Sequence, residues 1–319
     1  MTVKNERAHL QAWFQSIQKQ TVQPDEIVIV DGGSTDGTLE LLEEHTKQMT
    51  GLRVYKKAGN ISTGRNEAIR QAKGEILVVT DAGCTHDPSW IEKLIAPLKQ
   101  GTIIFTTTAF GPWFDRDDSL MIYAIAASTT PAPEEFEANW FPSSRSVAFK
   151  REVWELVGGY PEWLPLCEDV VFDMVAKQRG VYPFFVREPF VFWRPRSSLG
   201  GYMKQLAGYT RSDGHAKLFF QRQLIRYLTY SVSLALLYLT FRESWFFILP
   251  LIAGLFFYMK KFWRRWWAFT KVKSFVFRCI GLSIIPIVVA LGDVAKMVGW
   301  PEGVMERRSG KIHYQGFLQ

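Results

Sequence analysis

The sequence predicts an α/β protein with C-terminal membrane helices. Three observations carry this. Short apolar runs alternate with helical segments up to about Leu98, the pattern of a parallel sheet wound with helices. Two of those runs end on acids, Asp31 and Asp81, at the carboxyl strand ends where such sheets bind ligands. From Leu224 the texture changes to uncharged stretches and a basic, tryptophan-rich segment.

The elements follow in order. EIVIV (Glu26–Val30) is a strand of the buried type, running into DGGSTDGT and the helical LELLEEHTK. RVY (Arg53–Tyr55) is a short strand. ISTGRNEAIRQAKG reads as a helix capped at Ser62 or Thr63 and stopped by Gly74. Arg65 and Asn66 open that helix, where cation and helix dipole together favour an anion. EILVVT (Glu75–Thr80) is a third strand and leads into DAGC. In HDPSWIEKL, Asp87 is placed as N-cap with Pro88 at the first helical position. TIIFTTT (Thr102–Thr108) is a fourth strand. Residues 109–142, with DRDD and TTPAPEEFEANWFP, read as an irregular insertion. SVAFKREVWELVGGY reads as strand, helix and glycine stop. In LCEDVVFDMVAKQRG, Val171, Met174 and Val175 form a helical stripe, which puts Glu168 and Asp169 at or near a helix N-terminus.

Charge is unevenly placed. Residues 1–199 hold 21 Lys+Arg against 26 Asp+Glu, and residues 200–319 hold 17 against 5. The C-terminal part therefore suits an anionic partner. Tyr227–Phe241 and Trp245–Met259 are uncharged runs of about 22 Å each as helices, short of the ~30 Å hydrocarbon core; flanking residues and bilayer thinning close that gap. KKFWRRWWAFTKVK then mixes Lys and Arg with Trp, the composition of a cytoplasmic membrane interface. The same interleaving suits RNA, but between apolar spans the membrane is the better reading, so no nucleic-acid partner is expected. FVFRCIGLSIIPIVVALGDVAKM is a third apolar stretch with Arg278, Pro286 and Asp293. Three full crossings would put Arg307, Arg308 and Lys311 outside, against the positive-inside tendency, which a re-entrant or interfacial third segment resolves. Cys84, Cys167 and Cys279 are too widely spaced for a disulfide framework or a zinc site.

The order of the pieces resembles one family. PDEIVIVDGGSTDGT, GNISTGRNEAI, EILVVTDAGC, SVAFKREVWELVGGYPEWLPLCED and a late QLAGY resemble the family 2 glycosyltransferases over about residues 2–215. The resemblance implies a GT-A type, Rossmann-like nucleotide-sugar domain over 1–215, anchoring helices over 216–299 with a basic loop at 260–273, and a tail over 300–319. DAGC with SSRSVAF and WRPR is similar to a subgroup with cell-envelope substrates. The implied reaction is transfer of a sugar from a nucleotide-diphosphate donor to a lipid-linked or glycan acceptor, with inversion, at the cytoplasmic face of a membrane.

The resemblance also implies roles. Asp31 matches the acid that contacts the base, and Arg65 a residue near the nucleotide. Asp81 matches the first acid of the DxD motif, at the ribose and the diphosphate-bound metal. Asp169 matches the catalytic base, with Glu168 beside it. Gln205 matches the start of QxxRW near the acceptor; Gly208 and Tyr209 replace Arg-Trp, and Arg211 follows. Gly83 stands where the second DxD acid belongs. Mg2+ or Mn2+ held by Asp81 and phosphate oxygens is one account of diphosphate charge, with His86 or Asp87 assisting through water. Arg145, Arg194 or Arg196 carrying that charge is the other. Two further classes of function stay open: a nucleotide-sugar-binding protein without turnover, and a membrane scaffold with a vestigial α/β domain. Finally, the family opens on a strand that runs into a segment like TVKNE. Here Met1 almost directly precedes Thr2–Glu6, so most of that strand is expected to be missing, with an upstream N-terminus and unpaired neighbouring edges.

Overall fold

The computed structural model describes residues 1–132, 135, 136 and 141–314, without the side chains of residues 189 and 190. Part of the TTPAPEEFEANWFP segment therefore lies outside the described residues. The chain divides into two compact units: Met1–Trp113 with Pro133–Arg194, and Phe114–Ala132 with Pro195–Tyr314.

The first unit begins with β1 (Thr2–Val3), α1 (Arg7–Gln18), β2 (Ile27–Asp31), α2 (Thr38–Thr46), β3 (Leu52–Lys56), α3 (Ile61–Gln71) and β4 (Ile76–Val79). It continues with β5 (Cys84–His86), α4 (Trp90–Lys99) and β6 (Phe105–Pro112). After an excursion into the second unit, described below, the chain returns as β7 (Val147–Lys150), α6 (Arg151–Val157), α7 (Glu168–Gln178) and β8 (Phe184–Trp193).

β1, β2 and β3 form a parallel three-stranded sheet in that order. A two-residue β1 stands where most of the family's opening strand was expected to be missing. It pairs only the end of β2, Thr2 with Val30 and Val3 with Asp31, and the Met1 amino group extends the pairing by donating to the Val28 carbonyl at 2.9 Å. The other five strands form a second sheet in the order β4-β7-β6-β8-β5. Only β6 and β8 run parallel there; β7 is antiparallel to β4 and β6, and β5 to β8. The expectation of a wholly parallel sheet is thus corrected. The regular strand-helix alternation breaks first at β5, which follows β4 with no helix between them, and the later strands, although separated by α5 (Leu120–Thr129) and by α6 and α7, mostly pair antiparallel. Leu10, Phe14, Ile29, Trp90, Leu94 and Ala148 belong to one buried cluster of this unit.

Helix ends follow local chemistry. Asn60 caps α3 by accepting from the Thr63 N–H at 3.0 Å. Gly158, at φ 86°, stops α6 in the left-handed conformation. Asp87 instead accepts from Ser89 N and Oγ, closing a turn one step ahead of α4.

The second unit holds α5 (Leu120–Thr129), α8 (Leu199–His215), α9 (Phe220–Arg242), α10 (Ile248–Phe269) after a short 3-10 turn, and α11 (Phe275–Arg308). α5 lies within the stretch read as an irregular insertion; LMIYAIAAST is apolar all round and buries Tyr123 to Ala127 in this unit's core. Residues 195–215 belong to this unit rather than to the first. Among the described residues three helices are long and apolar enough to cross a membrane: Phe220–Arg242, Trp245–Phe269 and Phe275–Arg308. They outrun the uncharged runs because the polar flanks continue the helices. The basic stretch at 260–273 is not a loop, since α10 runs through it to Phe269. Trp266 is fully buried and donates from Nε1 to the Arg278 carbonyl at 2.9 Å, so it is core and not an interfacial anchor. The third segment is one continuous helix of 34 residues through Pro286 and Pro301.

Candidate active site

The site is built around Arg65. It lies on the second turn of α3, next to Gly64, where a Cβ would collide with the Thr2 side chain; glycine there lets α3 lie close on β1. The buried Arg65 guanidinium reaches acids from two distant elements. Nη2 donates to Asp81 Oδ1 at 2.9 Å, and Nη1 to Glu168 Oε1 at 2.6 Å. Asp81 follows β4, as its place after the EILVVT run predicts. Glu168 is the first residue of α7, and Cys167 before it takes the left-handed conformation (φ 60°), which costs a non-glycine residue roughly 1–2 kcal/mol. That turn presents Glu168 and Asp169 together.

Asp169 Oδ1 accepts from the Val170 N–H at 2.9 Å. Its Oδ2 is only at the edge of hydrogen-bond reach of Ser144 N (3.4 Å) and Ser143 Oγ (3.5 Å), so it retains capacity for a further donor. Burial, with Asp169 alongside, pushes the Glu168 carboxyl up, against the pull of Arg65. Asp173, one turn further along α7, is buried and likewise pushed well up, by burial first and Asp169 second; its Oδ2 has no hydrogen-bond partner among the described residues. Sequence reasoning missed Ser143, Ser144 and Asp173. The i, i+4 spacing of Asp169 and Asp173 was the available signal.

Arg145 completes the cluster. Its guanidinium lies 5.0 Å from the Trp193 ring centroid and 5.5 Å from that of Phe110, with Nε 4.0 Å from Asp81 Oδ2. Asp81 thus meets a guanidinium on each oxygen. A Cβ on Gly83 would meet nothing within 4 Å, so the position of the second DxD acid is open space. Among the described residues no three His, Cys, Asp or Glu side chains gather as a metal cage. This donor set fits Mg2+ or Mn2+ only where a substrate supplies further oxygens, the ordinary condition for Mg2+ beside phosphates.

The other predicted residues are placed as follows. Asp31 is buried at the end of β2, with Oδ2 accepting from Gly33 N and Ser34 N at 3.0 Å each and Oδ1 from Ser34 Oγ at 2.5 Å; it shapes the DGGS turn. Asn66 is committed within the fold, donating from Nδ2 to the Tyr160 carbonyl and the Glu162 carboxylate and accepting on Oδ1 from Trp154 Nε1, so it is not aimed at a ligand anion. His86 is buried with Nδ1 on Ser16 Oγ and Nε2 on Thr80 Oγ1, so neither nitrogen is left for a metal-bound water. Arg194 lies over Trp113 and donates to its carbonyl. Arg196, Gln205 and Arg211 belong to the second unit. Arg196 Nε donates to Gln205 Oε1 at 3.3 Å, and Arg211 pairs with Glu306.

Residues 1–156 match the profile of glycosyl transferase family 2. The O-antigen chain rhamnosyltransferase WbaN of Salmonella anatum is 25% identical over 179 residues, covering 53% of this chain and 56% of the relative. The succinoglycan biosynthesis protein ExoA of Rhizobium meliloti is 24% identical over 245 residues, 72% of each chain. The undecaprenyl-phosphate 4-deoxy-4-formamido-L-arabinose transferase of Proteus mirabilis is 30% identical over 122 residues, 35% of this chain and 36% of the relative. The chain spans 56% of the length of the rhamnosyltransferase and 60% of that of the glycosyltransferase AglE of Haloferax volcanii. Among solved structures, a mannosyltransferase of Pyrobaculum calidifontis, determined with GDP-Man and Mn2+, shares the fold with a TM-score of 0.55 at 16% identity, over 97% of this chain and 86% of that one. The fold is of the GT-A type.

Proposed function

Because residues 1–156 carry a glycosyl transferase family 2 domain, we propose that the protein transfers a sugar from a nucleotide-diphosphate donor to a lipid-linked or glycan acceptor of the cell envelope, with inversion, at the cytoplasmic face of a membrane. One observation carries the reading: Arg65 joins Asp81 to the helix start that bears Glu168 and Asp169, so the diphosphate-side acid and the base-side acids share one site.

In the reaction the acceptor oxygen bonds to the anomeric carbon while the bond to the diphosphate oxygen breaks. The diphosphate leaves with the electron pair, and the acceptor proton passes to Asp169 Oδ2, the oxygen with capacity to spare. Late proton transfer suits a carboxylate, because the attacking hydroxyl acidifies as its bond forms. Arg65 fixes Asp81 and Glu168 from beneath. Asp31 shapes the turn that would meet the base. Asp81 would hold a divalent cation together with donor phosphates, and that cation would neutralise charge on the departing diphosphate.

The test is transfer by Asp169→Asn against wild type, with donor affinity measured separately. Activity should fall by at least 10²-fold, the usual scale of general-base catalysis, with donor affinity within a few-fold. A loss below about tenfold would remove Asp169 from the mechanism.

Arg145 carrying the diphosphate charge is a second reading, favoured by its approach to Asp81. Chelation separates the two. Loss of transfer with chelator, restored by Mn2+ or Mg2+, is expected for the cation; unchanged transfer, together with loss in Arg145→Gln, selects the arginine.

A further inference from the structure

We propose that Arg226 and Lys296 form a binding site for the phosphate headgroup of a membrane lipid. α9, α10 and α11 meet at Asp293, which is buried on α11. Its Oδ1 accepts from Arg226 Nε at 3.1 Å and Lys296 Nζ at 3.2 Å. Its Oδ2 accepts from the hydroxyls of Tyr230, at 3.2 Å, and Tyr258. Four donors fill the acceptor capacity of a carboxylate, so Asp293 is spent.

The two cations are not. Arg226 Nη1 donates to Gln223, while Arg226 Nη2 and the other Lys296 hydrogens have no acceptor among the described residues. One negative charge therefore faces two positive ones. Excess positive charge among apolar helices is costly in a bilayer unless an anion joins it. The Arg226 and Lys296 side chains remain 17% and 23% exposed, so an anion can reach them.

The surroundings select the kind of anion. Arg226 lies on α9, whose apolar span is nowhere buried in the fold, and Lys296 on α11, which is also apolar enough to cross a bilayer, so the cations sit among apolar neighbours suited to lipid chains. A free phosphate gains nothing from these apolar neighbours. A lipid sets its phosphate on the cations and its chains along the helices.

The test uses the full chain, delipidated in neutral detergent and given phosphatidylglycerol, phosphatidylcholine or inorganic phosphate, with bound lipid counted by native mass spectrometry. Wild type should retain one phosphatidylglycerol in preference to phosphatidylcholine, and millimolar inorganic phosphate should not displace it. Lys296→Gln should lower retention about fivefold, the scale of one basic residue acting on anionic lipid. Arg226→Gln, in which Lys296 still pairs with Asp293, should do the same and guards against misfolding of the first variant. Lys271→Gln removes the same charge from an exposed residue and should leave retention unchanged. Equal retention in wild type and both site variants would overturn the proposal. So would an equal loss in Lys271→Gln, which would mean diffuse attraction. Displacement by inorganic phosphate would make the site one for soluble anions and overturn the lipid.

Discussion

Arg65 has no net gain from burial unless both its partners stay ionised. Taking a guanidinium and carboxylates out of water costs several kcal/mol per ion, and only close geometry repays it. The arginine fork, with two nitrogens on two different acids, supplies that geometry where a lysine ammonium would not. The value of the arrangement is position: it ties the end of β4 to the start of α7. His86 shows the opposite solution, a buried base kept neutral. Burial lowers its pKa to about 3 from an ordinary 6.5. The unfolded chain then binds a proton below pH 6.5 that the folded chain refuses until about pH 3. Its contribution is complete above pH 6.5 and is lost as pH falls through that window, at up to about 1.4 kcal/mol per pH unit. Unfolding midpoints from pH 7 to pH 5 should therefore fall more steeply in wild type than in His86→Phe. Identical slopes would show that another group titrates.

At the scale of elements, α8 and α11 are packed through glycine. A Cβ on Gly303 would strike the Arg211 carbonyl, and one on Gly214 the Trp300 carbonyl. Backbone on both sides leaves no flexible neighbour to give way. Gly303→Val should thus destabilise by about 1–3 kcal/mol or more, the ordinary cost of overpacking. Gly254, on α10, has open space around its missing Cβ; Gly254→Ala should be neutral or stabilise by about 0.5–1 kcal/mol through helix propensity. Thermal unfolding in one detergent compares them. A Gly303→Val variant as stable as wild type would mean that the two helices are not so closely packed.

At the scale of the whole molecule, composition separates two jobs. Residues 1–199 are net acidic and 200–319 strongly basic, and the second region holds the three helices able to span a bilayer among the described residues. Phe241, Phe257 and Phe275 on those helices are more than two-thirds exposed, which in water leaves large apolar surfaces bare. The full chain should therefore stay with membranes through alkaline carbonate, and under the proposed orientation a protease should reach the first unit from the cytoplasmic side. Release by carbonate alone would reduce the attachment to a peripheral one.

Much of the fold was legible in sequence because its signals are local. Apolar runs, caps and glycine stops located β2, β4, β7, α3 and α7, and so placed Asp31, Asp81, Glu168 and Asp169 at strand and helix ends. The ordered motifs pointed to the family. α5 escaped because a helix buried on every side has no amphipathic period to read. β5 and β8 escaped because their pairing with each other and with β6 joins distant segments, which no local pattern encodes. The joining of Asp81 and Glu168 through Arg65, and of Arg226, Tyr230 and Tyr258 on Asp293, was decided only by tertiary structure. Sequence can name a charged side chain; which opposite charge it meets depends on the packing that removes both from water.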